Sequence, residues 1–186
     1  HYGSGKTEFA INYSLQLAQS SSKTALIDLD IVNPYFRSRE KQDLLSENKI
    51  KVISNSIGIN VGVDLPAISS EVETPLQQDY DVIIDAGGDP IGAKVLGRYN
   101  RYFQNGNYDM FCVINANRPS TQNLDDSIQI IKEIELTSQT KVTGLINNTH
   151  LLKSTTIEDV LKGQELVKKI SDQLNIPIKY ISVREN

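Results

Sequence analysis

Six short apolar runs punctuate the chain, at Thr24 to Asp28, Ile50 to Ser54, Asp81 to Asp85, Asp109 to Asn115, Val142 to Asn147 and Ile178 to Val183. Helical patterns separate most of them, and that alternation predicts an α/β fold with a parallel sheet covered on both faces. Phe9, Tyr13 and Leu17 recur every fourth position and are joined by Ala10 and Ala18, which predicts a helix ending near Ser20 to Ser22 with that stripe packed on the sheet. Leu124, Ile128, Ile131 and Ile134 mark a second helix. A third opens on a capping-box pattern from Thr155 to Glu158 and continues through Ile157, Val160, Val167, Ile170 and Leu174. Gly163 lies inside it, at a cost of about 1 kcal/mol relative to alanine.

Between Asn55 and Pro66 the pattern breaks down, and Gly58, Gly62 and Pro66 read as a loop or insertion. Repeats, linkers and low-complexity segments are missing from the sequence, so the pattern predicts one domain over residues 1–186 with its six strands in one sheet.

The chemistry is concentrated at the start of the chain. HYGSGKT supplies most of a phosphate-binding loop of the form G-x-x-x-x-G-K-[ST], with Gly5, Lys6 and Thr7 in its last three places. The opening glycine of that motif, and the strand that feeds it, would lie ahead of His1. Gly3 and Gly5 let the backbone turn its N–H groups toward a polyphosphate, and the helix that follows adds its positive end. The phosphate-binding set is Gly3, Ser4, Gly5, Lys6, Thr7 and Glu8. Lys6 would reach the β and γ phosphates and serve catalysis, while the Thr7 hydroxyl would take one position on Mg²⁺.

In an open α/β sheet ligands bind beyond the carboxyl ends of the strands, so polar residues there carry weight. ALIDLD places Asp28 and Asp30 on one side after the second strand: Asp28 to hold Mg²⁺ through water, Asp30 to orient an attacking water. Both also fit ordinary strand-end chemistry. DVIIDAGG ends in Asp85, a Walker B type metal carboxylate, followed by Gly88, whose N–H would sense the γ-phosphate. Ala86 stands where helicase-like and transporter-like ATPases carry a catalytic glutamate. GLINNTH offers Asn148 for an adenine edge, with Asn147 as the fallback. Guanine selection of the N-K-x-D kind would need an acid that NTHL lacks, so ATP is preferred over GTP. Arg37 and Arg39 would touch phosphate or a partner, or sit as solvated charges. Asn115, Asn117, Arg118 and Thr121 in NANRPST fit a second ligand or a turn with a helix cap.

With these motifs in hand the chain resembles P-loop proteins of the MinD/ParA/CobB type, whose kin include the nitrogenase iron protein and dethiobiotin synthetase. The resemblance runs from HYGSGKT through DLDIVNP, DVIIDAGGDP, NANRP and GLINNT to SVREN. It implies a three-layer α/β/α P-loop NTPase with a mainly parallel sheet, its first strand lying outside the chain and a further helix following Asn186, so that both ends are cut. It also implies a Mg²⁺-dependent ATPase acting as a nucleotide switch, often a homodimer or bound to another protein, with Val183, Arg184 and Glu185 near the base. Many relatives open the loop with K-G-G. His1 and Tyr2 occupy the lysine and first glycine positions here, and neutral histidine does not replace a permanent ammonium. Two other functions remain open: an ATP-dependent ligase of the dethiobiotin or cobyrinate synthetase type, and a nucleotide-dependent binding module with negligible turnover.

Bulk composition narrows the class further. A formal net charge of -4 and a pI near 5.2 argue against a nucleic-acid partner. Cys112 is the sole cysteine, which excludes an internal disulfide and suits a reducing, cytoplasmic setting. No apolar stretch is long enough to span a bilayer.

Overall fold

A computed structural model describes residues 3–30, 41–54 and 70–183. His1, Tyr2, Arg37, Arg39, the Gly58 to Pro66 segment, Arg184 and Glu185 lie outside the described residues. The fold is α/β, and the chain divides into two compact units, Thr7–Gly87 and His1–Lys6 with Gly88–Asn186.

The unit Thr7–Gly87 is built on strands β1 (Thr24–Leu29), β2 (Ile50–Ser54) and β3 (Asp81–Ala86), ordered β2-β1-β3 and all parallel. Every residue of the central strand β1 is buried, which is why TALIDL reads as an apolar run rather than an alternation. Helix α1 (Lys6–Ala18) closes where Ser20 and Ser21 donate their N–H groups to Leu17 O. Its buried face is Ala10, Ile11 and Ser14, with Leu15 and Ala18 also packed against a core of Leu26, Leu45 and Ile50. That corrects the expected stripe, since Phe9 and Tyr13 are only half-buried and stack on each other at 5.7 Å. Ser14 is tolerated inside because its hydroxyl donates to Ala10 O at 2.7 Å. Two short helices, α2 (Gln42–Glu47) and α3 (Glu73–Gln77), lead into β2 and β3.

The other unit carries α4 (Pro90–Gly97), β4 (Phe111–Ile114), α5 (Leu124–Ser138), β5 (Gly144–Asn147), α6 (Ile157–Leu174) and β6 (Ile178–Ile181). Its sheet is also parallel, ordered β4-β5-β6. The strands are therefore divided between two three-stranded sheets among the described residues, in place of the single sheet of six expected from the alternation. Ile114, Leu145, Val167 and Ile170 form the centre of this unit's core, with Ile128 and Ile131 from α5.

Capping chemistry sets the helix starts. Asn123 accepts from Asp126 N to open α5, and Asp89 accepts from Gly92 N to open α4, with Pro90 preset for the first turn. The capping box of α6 is Thr156 with Asp159, one residue beyond the Thr155 to Glu158 pair read from the sequence. Thr155 is otherwise engaged: its hydroxyl accepts from Leu151 N and donates to Leu152 O. Gly163 also acquires a reason, because a Cβ there would fall on Thr149 Oγ1 and within 2.6 Å of Asn147 Oδ1. The helix approaches the end of β5 too closely for any side chain at that position.

Candidate functional site

Among the described residues the segment ahead of α1 takes a backbone that requires glycine. Gly3 and Gly5 sit at φ of 76° and 79°, a region that costs other residues strain. Within its unit the loop is backed by side chains from the ends of β4 and β5. Arg118 Nε donates to Gly3 O at 3.0 Å, with Asn115 Nδ2 at 3.4 Å from the same oxygen. Asn148 Nδ2 donates to Ser4 O at 2.7 Å. The fit is tight, since a Cβ on Gly3 would stand 2.5 Å from the Arg118 guanidinium carbon and one on Gly5 would meet Asn148 Nδ2.

Ser4, between the two glycines, is fully buried, and its hydroxyl has no hydrogen-bond partner among the described residues. A buried hydroxyl is normally satisfied, so the Ser4 oxygen retains hydrogen-bonding capacity for a further partner.

Asn115 organises the region behind the loop. Fully buried at the end of β4, it donates to His150 O and accepts from the N–H groups of Asn117 and His150. His150 Nδ1 accepts from Leu152 N, an arrangement that assigns the ring proton to Nε2. Burial, and then the charge of Arg118, lower the His150 pKa from its ordinary value. Asn147 is fully buried and fully engaged: its NH₂ group donates to Val160 O and Gln164 Oε1, and its carbonyl accepts from Thr149 N. Gly88 lies in the bend before Asp89, and Val183 follows β6 as an exposed residue.

The carboxylates belong to the unit Thr7–Gly87. Asp85, at the end of β3, accepts a hydrogen bond of 2.6 Å from the Thr7 hydroxyl. Parallel register sets Asp28 beside Asp85, and Asp28 Oδ1 accepts from Asp30 N at 3.0 Å. All three acids are buried. Glu8 turns elsewhere and pairs with Lys41. Among the described residues no group of three or more His, Cys, Asp or Glu side chains is placed to hold a metal alone. Mg²⁺ seldom needs such a cage, because it keeps water and phosphate oxygens and takes one or two protein ligands. Thr7 with Asp85, and Asp28 adjacent, fit that requirement.

The sequence offers Asn115 and Arg118 to a second ligand or to a turn with a helix cap, and does not single out His150. The usable signal was the density of amides and a cation at one strand end in NANRPST. Among the described residues no helix is long and apolar enough to cross a membrane.

No family model matches the chain, and no curated protein matches it. Solved structures similar to it include a CdALR mutant at 16% identity and TM-score 0.38, covering 95% of this chain and 50% of that one. Another is the alanine racemase of Clostridium difficile 630, at 16% identity and TM-score 0.37, covering 96% of this chain and 53% of that one. This chain thus spans about half the length of those proteins. The expected membership of the MinD/ParA/CobB type is withdrawn together with the P-loop label it supplied, because no family model matches the chain. A likeness this distant carries no statement about the activity of this chain.

Proposed function

We propose that this chain binds ATP with Mg²⁺ and hydrolyses it slowly, as a switch read by a partner protein or a second copy of the chain. The observation that carries the reading is the loop at Gly3 to Gly5, with both glycines at positive φ and a buried Ser4 hydroxyl that has no partner among the described residues, ahead of α1. Phosphate oxygens are the ligand chemistry that such a loop accepts.

In this reading the loop N–H groups and Lys6 would hold the phosphates, and Thr7, Asp85 and Asp28 would serve as Mg²⁺ ligands. Mg²⁺ would neutralise charge on the phosphates when bound. Asp30 would orient a water whose oxygen attacks the γ-phosphorus in line. The bond from that phosphorus to the bridging oxygen breaks, its electron pair stays on ADP, and the water proton leaves with the phosphate or to solvent. Adenine is preferred because the NTHL stretch offers no carboxylate to guanine. A reducing compartment accords with the lone Cys112, a partly buried member of the β4 core whose thiol pKa is raised by burial.

Calorimetry on the full-length protein tests this. Wild type should take up ATP in the presence of Mg²⁺, and Lys6→Ala should weaken uptake at least about a hundredfold, the loss of a charge-assisted contact to phosphate. Equal affinity in the variant, or no uptake by wild type, removes the proposal.

A further inference from the structure

Two side chains that lie behind the loop decide which way its amides face. We infer that Arg118 and Asn148 are positioning residues: by holding the carbonyls of Gly3 and Ser4 they turn the N–H groups of Ser4 and Gly5 toward a phosphate ligand. The inference rests on the proposal that the loop binds phosphate and says what keeps it competent to do so.

In a trans peptide the C=O and the following N–H point in opposite directions, and there are no cis bonds among the described residues. Gly3 O accepts from Arg118 Nε and Ser4 O accepts from Asn148 Nδ2. The N–H groups of Ser4 and Gly5 therefore point away from the ends of β4 and β5. Neither forms a backbone hydrogen bond among the described residues outside helices and strands. With Gly3 and Gly5 at positive φ and both carbonyls held from the β4 and β5 side, the two N–H groups would share the opposite side, where a row of donors can meet an anion.

The two clamps differ in kind. Arg118 adds a positive charge behind the loop, and its guanidinium packs flat against Gly3, where a Cβ would come within 2.7 Å of three of its atoms. Asn148 is neutral and acts through the direction of its bond alone. Both are rigidly presented: Asn148 N donates to Ile114 O, and Arg118 N donates to Asn115 O, so each is fixed to the end of β4 by its own backbone. Carbonyls released from these donors would let the peptide planes rotate, and the N–H groups would lose their common direction.

The test uses the full-length protein, with pyrophosphate and with ATP plus Mg²⁺ as probes, followed by calorimetry and by the amide resonances of Ser4 and Gly5. Arg118→Ala and Asn148→Ala should each weaken both probes about tenfold, the loss of one charge-assisted or buried hydrogen bond. Ligand-induced shifts at Ser4 and Gly5 should shrink in both. Arg118→Lys, which keeps a charge and a donor but not the planar guanidinium, should weaken both probes less than Arg118→Ala does. Asn117→Ala removes a neighbouring bond to Asp159 that does not reach the loop, and should leave affinity and both amide shifts unchanged. If the alanine variants do not fold, Asn148→Asp places an acceptor against Ser4 O and must weaken binding more than Arg118→Lys does. Wild-type affinity and wild-type amide shifts in Arg118→Ala and Asn148→Ala, or equal affinity in Asn148→Asp and Arg118→Lys, overturn the inference. Failure of wild type to bind either probe overturns the functional reading itself.

Discussion

Gly163 shows how one residue can carry two opposing energies. Replacing it with alanine should gain about 1 kcal/mol of helix propensity. The new Cβ would meet Thr149 and Asn147, which are buried and hydrogen-bonded and have no room to retreat. Overpacking of that kind costs about 1–3 kcal/mol, so Gly163→Ala should lower the urea midpoint of unfolding. A raised midpoint would mean that α6 does not press on the end of β5. The same contrast applies in the loop, where Gly5→Ala should abolish ATP uptake through positive-φ strain and collision with Asn148. The sequence reading saw the loop glycines correctly as turn-formers. It counted only the propensity penalty at Gly163, because the neighbour that demands a glycine lies on another element.

At the scale of elements, α6 depends on its cap. Thr156 accepts from Asp159 N through its hydroxyl, and Asp159 Oδ2 accepts from Thr156 N. Thr156→Ala should cost about 1 kcal/mol, measured by denaturant unfolding, while Glu158→Ala should leave α6 intact. The Asp159 carboxyl is held below its ordinary pKa first by the Thr156 N–H and then by the Asn117 amide. The stability it confers is complete above the ordinary carboxyl value and is lost as pH falls through the lower folded value. Asp159→Asn should flatten that acid dependence. The sequence pattern began at Thr155, and a second, at Thr156, formed in the structure. The second prevailed because Asn117 reaches Asp159 at 3.0 Å from the end of β4 and Thr155 is spent on the preceding turn. The buried face of α1 was likewise decided by what it packs on, since periodicity pointed to the Phe9 stripe and packing turned Ala10, Ile11 and Ser14 inward.

For the molecule as a whole, His150 ties stability to pH near neutrality. Its pKa is lowered by burial and by Arg118, so between its ordinary value and the folded one the unfolded chain takes up a proton that the folded chain refuses. Stability should therefore fall as pH drops below about 6.5, and His150→Gln should remove that part of the slope in melting temperature against pH. An unchanged slope would remove the assignment. Leu145, fully buried between β4 and β6, should cost about 2–5 kcal/mol as Leu145→Ala.

The sequence by itself determined where the strands fall, that they run parallel, and that Gly3 and Gly5 take a turn conformation before α1. Those features are local, set by runs, periods and turn residues within a few positions of one another. Only the tertiary structure decided that the strands form two sheets, that Asp85 meets Thr7, and that Arg118 and Asn148 stand behind the loop. Those last bonds join residues 115 and 144 positions apart, and no pattern along the chain encodes a distance that arises only when it folds back on itself.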